Sequence, residues 1–244
     1  MKDIVSGPRY LLEGFGLLRK PGLRRFVMVP VLINVLLFGG LIGLAYGWVD
    51  HSSRYLVDRL PEWLHWLSYL VVPVFVIVSL IVIFYGFSVV ANLIAAPFNG
   101  LLAEAVEYHL TGRQLQADWR QVLRDILPSI ASELRKMLYF ALRALPLLLL
   151  MLVPVVNMAA SVLWVLFSAW MMTVQYMDYP MANHRLFFKD QRARLRKRPL
   201  LAWSFGGLVM LVTLVPLLNF FVMPAAVAGA AALWVRENRL APEG

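Results

Sequence analysis

The residues best suited to chemistry in this chain are two adjacent arginines, Arg24 and Arg25, which follow a proline and a glycine. They immediately precede residues 26–49, a run without charged residues that is long enough to form a membrane-spanning helix. The N–H groups at the start of a helix lack partners and carry the positive end of its dipole, so they bind anions. Because the preceding proline has no N–H, we expect the amides of Gly22, Leu23 and Arg24 to be free donors. With two guanidinium groups beside them, they would suit a phosphate- or sulfate-like oxyanion.

Arginine at the end of a membrane helix also has an ordinary explanation. Basic residues gather on the cytoplasmic flanks of membrane helices, where they contact lipid phosphates. On the residues alone this explanation is the more common one. Anion binding at Gly22–Arg25 is therefore one of two hypotheses for the same four residues.

Composition places the chain in the membrane. Of its 244 residues, 61% are hydrophobic and only 15% are charged, whereas about a quarter of a soluble domain is charged. The chain has no cysteine, which excludes disulfides, thiolate metal sites and cysteine nucleophiles. The net charge of +9 comes from basic residues that flank apolar runs. That placement indicates membrane topology and contact with anionic lipid rather than nucleic-acid binding.

Four runs lack Asp, Glu, Lys and Arg: residues 26–49, 63–103, 144–177 and 199–235. The first has the length of one span, which needs about 20 apolar residues. The second is too long for one span and predicts a helix over about 67–92, a bend near Pro97 and a further helix below the membrane. The last two runs are too long for one span and too short for two.

The last two runs share an interruption near their middle, Leu-Val-Pro-x-x-Asn at 152–157 and 214–219. Proline removes a helical hydrogen bond and disfavours helix in the preceding residue, and asparagine tolerates turns. We interpret each motif as the tip of a helical hairpin that enters the bilayer and returns. The alternative is a kinked single span, because membrane helices tolerate proline.

The basic residues support the hairpins. Residues 1–25 hold six Lys and Arg and residues 50–62 hold two, which places the N-terminus in the cytoplasm. Two spans then return the chain inside, and a crossing by the third run would put the seven basic residues of 178–198 outside. We therefore predict one all-α membrane domain over residues 1–244, with two transmembrane helices and two re-entrant hairpins. Its predicted segments are a cytoplasmic or interfacial helix (1–25), the first span (26–49), and the second span with its extension (63–103). They continue with cytoplasmic helices (104–143), hairpin 1 (144–177), a basic cytoplasmic segment (178–198) and hairpin 2 (199–235).

Between the spans and the hairpins the sequence predicts an amphipathic helix that is broken near Pro128. Its apolar residues recur every three or four positions, at Leu115, Trp119, Val122, Ile126, Ile130, Leu134 and Leu138. The helix would pack on the hairpins or lie in the membrane interface. We expect Arg135, Lys136 and Arg143 to face lipid headgroups.

Signatures of catalysis are missing from the sequence. It contains no phosphate-binding loop, no dinucleotide-binding glycine pattern and no zinc-protease motif, and its four histidines lie far apart. We predict that the protein is not an enzyme and needs no metal or cofactor. The uncharged runs also hold no ionisable acid or base of the kind that coupled carriers use, which favours a channel-like path.

Several stretches resemble one known family. They are Pro-Gly-Leu-Arg-Arg-Phe at 21–26, Ala-Pro-Phe-Asn-Gly-Leu-Leu-Ala-Glu at 96–104, Phe-Ser-Ala-Trp at 167–170, Tyr-x-Asp-Tyr-Pro at 176–180, Val-Pro-Leu-Leu-Asn at 215–219 and Trp-Val at 234–235. In this order and spacing they resemble the CysZ sulfate permeases of bacterial inner membranes. The resemblance covers nearly the whole chain.

The resemblance implies sulfate uptake for cysteine biosynthesis, and a fold with two spanning helices and two hairpins that do not cross. It implies that Gly22, Leu23 and Arg24, with Arg25 adjacent, bind sulfate. It further implies a permeation path, assigned to Asn92, Asn99, Glu104, Glu107 and Arg113. Homo-oligomers, as dimers or hexamers with antiparallel partners, are also implied. The six-to-two charge bias argues for a single orientation instead, and both alternatives stay open.

Two other function classes remain as alternatives. A membrane scaffold or assembly protein would use the hairpins as wedges and the basic loops as lipid anchors. A lipid-modifying enzyme is disfavoured by the missing acid–base constellation. Sulfate permeation, channel-like or driven by a gradient, is the leading prediction.

Overall fold

The structure is a computed structural model that describes residues 2–59, 61–113 and 119–238. Within these ranges all regular structure is helical, which confirms the all-α prediction. The chain forms two compact units, one of Arg25–Phe98 and one of the segments before and after it. The helices are α1 (Lys2–Leu17), α2 (Arg25–Asp58), a short 3₁₀ helix (Glu62–Leu67), α3 (Ser68–Thr111), α4 (Trp119–Met151), α5 (Val156–Asn183), α6 (Phe188–Lys197), α7 (Pro199–Thr213) and α8 (Pro216–Asn238).

The unit Arg25–Phe98 is a helical hairpin with an apolar surface. Its two helices run antiparallel, with the Phe38 and Phe87 rings 5.0 Å apart and the Trp48 and Phe75 rings 5.9 Å apart. Segments Arg25–Tyr55 and Trp63–Phe87 are long and apolar enough to cross a membrane, and only 6% of each apolar window is buried inside the protein. Apolar side chains that no protein atoms cover require a lipid environment. Exposed aromatic residues cluster where the two helices connect, at Trp48, Trp63, Trp66 and Tyr69.

The other unit is built around α8. This helix is alanine-rich and its side chains from Ala225 to Ala232 are almost completely buried. Small residues allow α1 to approach it closely: a methyl group on Gly14 would lie 2.0 Å from the Ala225 carbonyl oxygen. At Gly229 it would lie 2.5 Å from the Tyr10 carbonyl oxygen. Glycine at these two positions is therefore what permits the contact between α1 and α8.

Both Val-Pro-x-x-Asn motifs form turns between antiparallel helices. The first separates α4 from α5, and the Phe140 and Phe167 rings on the two helices stack 5.7 Å apart. The second separates α7 from α8, and Arg198 at the start of α7 pairs with Glu237 at the end of α8. The alternative of a kinked single span is therefore wrong for both runs. Val156–Asn183, one arm of the first hairpin, is a third segment long and apolar enough to cross a membrane.

Helix α4 differs from its prediction at Pro128. The helix continues through this residue from Trp119 to Met151, so the predicted break is wrong. Pro128 is exposed, as is Arg124 one turn earlier, whose carbonyl loses its helical donor. Because a carbonyl near the surface can find other donors, a single proline does not end this helix.

The exposed face of α4 is its apolar face. Ile130, Leu134 and Leu138 are more than half exposed, whereas Ser132 and Lys136 are buried. These three residues of the stripe therefore do not pack on the hairpins, and their exposure fits an interfacial helix. Leu115 and the side chains of Trp119, Val122 and Ile126 lie outside the described part of the structure. Lys136 does not face lipid headgroups as predicted, because its charge is paired inside the protein.

Candidate functional site

The Gly22–Arg24 turn connects α1 to α2 and opens its backbone to the surroundings. Gly22 has a φ of +89°, a left-handed conformation that glycine adopts without strain. An added methyl group there would meet no atom within 4 Å. Leu23 is only 4% exposed, so its side chain holds the turn against the protein interior. An anion at this turn would meet backbone and arginine but not the leucine side chain.

The turn offers fewer free amides than the sequence predicts. The amides of Leu23 and Arg24 both donate to the carbonyl oxygen of Lys20, at 3.2 and 3.4 Å. The prediction of three free donors is therefore wrong for these two, because the turn already forms its own hydrogen bonds before α2 begins at Arg25. Among the described residues, no hydrogen bond occupies the Gly22 amide. The arginine charges must supply most of the attraction for an anion here.

Both arginines present their charge outward. Arg24 is exposed and has no ion-pair partner within the ranges that the structure describes. Arg25, the first residue of α2, is also exposed and its guanidinium lies 4.9 Å from the centre of the Phe26 ring. A ring face leaves the guanidinium N–H groups free to bind an oxyanion.

The residues assigned to a permeation path occupy different environments. Asn99 is 7% exposed and hydrogen-bonds with Tyr179, while its amide nitrogen lies 3.9 Å from the sulfur of Met223. Glu104 is half-buried on α3, and Arg113 is exposed beyond the end of that helix. Asn92 belongs to α3, but its side chain lies outside the described part of the structure. About 20 Å of helix separates Asn99 from Arg113, so these residues do not form one compact site.

The structure adds a partner that sequence spacing could not show, His184 beside Glu107. The Nε2 atom of His184 lies 2.9 Å from both carboxylate oxygens of Glu107. The histidine ring also packs 5.2 Å from the ring of Trp234. The preceding residue, Asn183 at the end of α5, donates to the carbonyl oxygen of Gly100 at 3.2 Å. The C-terminal end of α5 is therefore fastened to α3 by polar contacts.

A second polar cluster is buried where α4, α5 and α6 meet. Lys136 Nζ lies 2.9 Å from an Asp178 carboxylate oxygen and 2.7 Å from a Glu133 carboxylate oxygen. Gln191, 1% exposed, donates to Asp178 and to the carbonyl oxygen of Leu186. Burial alone lowers the pKa of Lys136, but the charges of Asp178 and Glu133 outweigh it and raise that pKa. Lys136 is therefore a charged structural residue.

A third cluster, outside the apolar runs, ties α1 to both arms of hairpin 2. Arg198 binds the carboxylates of Asp3 and Glu237, and the Tyr10 hydroxyl donates to Glu237 at 2.7 Å. The hydrogen bond from Arg198 holds the pKa of Asp3 below its usual value. Burial, followed by the neighbouring Glu237, raises the pKa of Tyr10 to about 12. Arg198 thus serves packing within the protein.

Comparison with known proteins gives a consistent result over nearly the full chain. Residues 10–224 match the family model described as "Sulfate transporter CysZ/Etoposide-induced protein 2.4". A "Sulfate transporter CysZ" of Pseudomonas paraeruginosa is 47% identical over 236 residues, which are 96% of each chain. The proteins of that name from Pseudomonas fluorescens and Pseudomonas syringae are 47% and 44% identical, over 96% of this chain and 95% and 93% of theirs. The chain therefore belongs to the family described as sulfate transporter CysZ/etoposide-induced protein 2.4.

Proposed function

We propose that this protein carries sulfate across the bacterial inner membrane, through a channel-like path or down a gradient, and so supplies sulfur for cysteine biosynthesis. The family and its relatives, which are named sulfate transporters, support the substrate. The observation that carries the proposal is the exposed, unpaired Arg24 beside the open backbone of Gly22. The buried charges described above already have partners, so this turn is where an incoming dianion finds free positive charge.

The proposed sulfate site consists of Gly22, Leu23, Arg24 and Arg25. Gly22 lets the ion approach the backbone, Leu23 holds the turn, and the two arginines supply charge-assisted hydrogen bonds. Binding at the mouth of a path must stay modest, or the ion would not leave. The path itself is assigned to Asn92, Asn99, Glu104, Glu107 and Arg113, as a proposal that rests on the family resemblance.

We infer that both hairpins insert without crossing. On hairpin 1, Arg143 directly precedes the uncharged run 144–177 and so marks the level at which charged residues end. From Arg143 to the tip at Val153 is about 15 Å of helix, half of a 30 Å hydrocarbon core. Hairpin 2 reaches about 22 Å from Pro199 to Leu214. After Leu163 along the chain, α5 is buried in protein at Ala169, Trp170 and Thr173. This burial suits a segment that lies outside the lipid.

The remaining partners are proposals of the same kind. Exposed basic residues of α6, such as Arg194 and Arg196, would contact anionic lipid. The protein would work as a homo-oligomer, a dimer or hexamer, and would have no nucleic-acid partner. Its role would be transport rather than catalysis, without metal or cofactor. A scaffold that uses the hairpin tips as wedges is the alternative, because those tips are apolar and exposed at Leu152 and Leu214.

Reconstitution separates the two functions. Protein in liposomes should admit labelled sulfate above the rate of empty liposomes, and Arg24→Ala should lower sulfate uptake about tenfold by removing a charge-assisted hydrogen bond. Arg25→Ala should act in the same direction. Arg19→Ala, an exposed cation on the same segment, is the matched control and should change little.

Absence of flux above empty liposomes would contradict transport and leave the scaffold. Equal loss of uptake in Arg19→Ala and Arg24→Ala would instead reduce the turn to a diffuse positive anchor. If chloride or chlorite entered the liposomes but sulfate did not, the protein would have a permeation path whose substrate is not sulfate.

Single cysteines test the topology, because the chain has none of its own. Lys189→Cys, on the basic segment, should react with an impermeant reagent only from the cytoplasmic side. Arg59→Cys, between the two spans, should react only from outside. Labelling of Lys189→Cys exclusively from outside would show that hairpin 1 crosses the membrane.

The turn at Pro154 provides a second topology test. Pro154→Leu should favour a continuous helix in place of the turn, and the analogous change is Pro216→Leu in hairpin 2. We expect part of the Lys189→Cys population to become accessible from outside in the Pro154→Leu background. An unchanged labelling pattern would mean that the proline is not what holds the hairpin.

A further inference from the structure

A groove of about 530 Å³ lies between the bases of the two hairpins, entirely within the unit built around α8. Its volume is in the range of sites for small organic ligands. Helices α4, α5, α6 and α7 each contribute to its walls, through residues that include Arg143, Leu147, Leu163, Arg196 and Trp203. The groove therefore depends on how the two hairpins pack against each other.

Two arginines, Arg143 and Arg196, line the groove. Arg143 and Arg196 are both exposed, and neither has an ion-pair partner among the residues that the structure describes. The guanidinium of Arg143 lies 3.9 Å from the centre of the Tyr139 ring, which fixes its position over the base of hairpin 1. Arg192 also approaches this ring, at 5.3 Å. A phosphate bound in the groove would find two lining arginines without ion-pair partners among the described residues.

The other residues that line the groove are apolar or aromatic. Leu147 lies one turn beyond Arg143 on α4, and Leu163 and Leu166 face the same groove from α5. Both leucines of α5 are at least two-fifths exposed. Trp203 occupies the corresponding place on α7, one turn beyond Pro199. A ligand that fits this groove must be anionic at one end and hydrocarbon along its length.

Each of the two arginines also lies close to the start of an uncharged run. Arg143 directly precedes the uncharged residues 144–177, and Arg196 comes three residues before the uncharged residues 199–235. If charge ends where the hydrocarbon begins, both guanidiniums lie at the depth of lipid phosphates. A free oxyanion would lose part of its hydration beside the apolar wall, and that wall offers it no hydrogen-bond donor. A lipid would instead place its acyl chain on the wall.

We propose that this groove binds one anionic phospholipid, with its phosphate between Arg143 and Arg196 and an acyl chain along Leu147 and Leu163. The bound lipid would hold the bases of the two hairpins together at the membrane surface. This proposal rests on the proposed half-insertion of the hairpins, and it is independent of the sulfate site at Gly22–Arg25.

The test measures lipid retention by native mass spectrometry of the protein in a neutral detergent. Phosphatidylglycerol is compared with phosphatidylcholine of the same chains, and no sulfate is present, so the result does not depend on transport. Wild type should bind one phosphatidylglycerol in preference to phosphatidylcholine. Arg143→Gln with Arg196→Gln should weaken phosphatidylglycerol binding about 30-fold, from about 1 kcal/mol for each basic residue at a lipid surface.

The matched control removes two charges from the same two helices at exposed positions away from the groove. Arg135→Gln with Lys189→Gln should retain the wild-type preference for one phosphatidylglycerol. An equal loss in this control, or equal retention of phosphatidylcholine by wild type, would overturn the site. Displacement of the lipid by millimolar inorganic phosphate would also overturn it, since the acyl chain would then contribute nothing.

A second variant tests the apolar wall while both arginines stay in place. Leu163 is 50% exposed, so Leu163→Trp should fold and fill part of the groove. We expect loss of the retained phosphatidylglycerol at an unchanged melting temperature in detergent alone. Full retention of lipid in Leu163→Trp would contradict the placement of the acyl chain.

Discussion

Charged residues of the unit built around α8 fall into two groups that the fold treats in opposite ways. Lys136 is buried, with two carboxylates around it and a glutamine that completes the hydrogen bonds of one of them. Arg24 is exposed, with no ion pair among the described residues. A buried cation without partners would be costly, so the first group must be satisfied within the protein. The second group remains available to a ligand, and free charge rather than buried charge marks the site.

The largest effect expected from this comparison is on stability. Asp178→Asn leaves Lys136 buried with only the exposed Glu133, and should lower the free energy of unfolding by about 3 kcal/mol. Sulfate uptake per folded molecule should not change. Thermal melting in detergent and liposome flux measure the two quantities.

Glu133→Gln is the matched control, because it removes the other carboxylate of the same lysine. The Glu133 side chain is 53% exposed, so this change should cost less than about 1 kcal/mol. A specific fall of sulfate uptake in Asp178→Asn would break the comparison, since it would place the buried cluster in the transport path.

At the exposed arginine turn, sulfate uptake should depend on the backbone conformation of Gly22. Gly22→Ala should lower sulfate uptake severalfold and cost about 1–2 kcal/mol, because alanine is strained at a φ of +89° and its methyl group shields the backbone. Gly16→Ala is the control, in helix α1 and also without a neighbouring atom within 4 Å. It should slightly stabilise the protein and leave uptake unchanged. Equal uptake by the two alanine variants would remove Gly22 from the site.

At alkaline pH, the half-buried Tyr10, which is hydrogen-bonded to Glu237, should affect stability differently from an exposed tyrosine. The pKa of Tyr10 is raised to about 12, so the fold favours its neutral form. The raised pKa of Tyr10 contributes to the free energy of unfolding. This contribution is fully present below the ordinary tyrosine pKa near 10 and is lost as the pH rises from about 10 to about 12. Melting temperature against pH should fall less steeply in this window for Tyr10→Phe than for wild type. The exposed Tyr108→Phe serves as control, and a slope unchanged by Tyr10→Phe would contradict the prediction.

The smallest effect concerns a second left-handed residue, at the tip of hairpin 1. Val155 has a φ of +72°, which is unfavourable for a β-branched side chain. Val155→Gly should therefore raise the free energy of unfolding by about 1 kcal/mol. Melting in detergent measures the gain, and Val153→Gly at the same tip should be neutral or destabilising. A loss in Val155→Gly would mean that the valine side chain contributes more through lipid or oligomer contacts than its conformation costs.

Much of the fold was predictable because the membrane imposes simple rules on sequence. Uncharged runs and the two Val-Pro-x-x-Asn motifs predicted the helices and the turns, and both turns are confirmed at 152–155 and 214–215. The continuous path of α4 through Pro128 was not predicted, because the cost of proline depends on whether the freed carbonyl is exposed. The depth of hairpin insertion and the permeation path remain predictions.

The candidate site was predictable only in part. The arginine turn follows from adjacent residues, and the family resemblance covers the same four positions. The bond of His184 to Glu107 and that of Lys136 to Asp178 join residues 77 and 42 positions apart, and no local spacing records them. For the same reason Lys136 was expected at the lipid surface, whereas its neighbours on the adjacent helices bury it.

The sequence by itself determined that this chain is an all-α membrane protein, where its turns lie and which arginines could meet an anion. These properties depend on hydrophobicity, proline and charge along short stretches, which are local. The tertiary structure alone decided which charges are free, since Lys136 and Arg198 acquire their carboxylates only when distant helices pack. It also brought Arg143 and Arg196 to one groove, because pairing and burial are properties of the packed helices and not of the residue type.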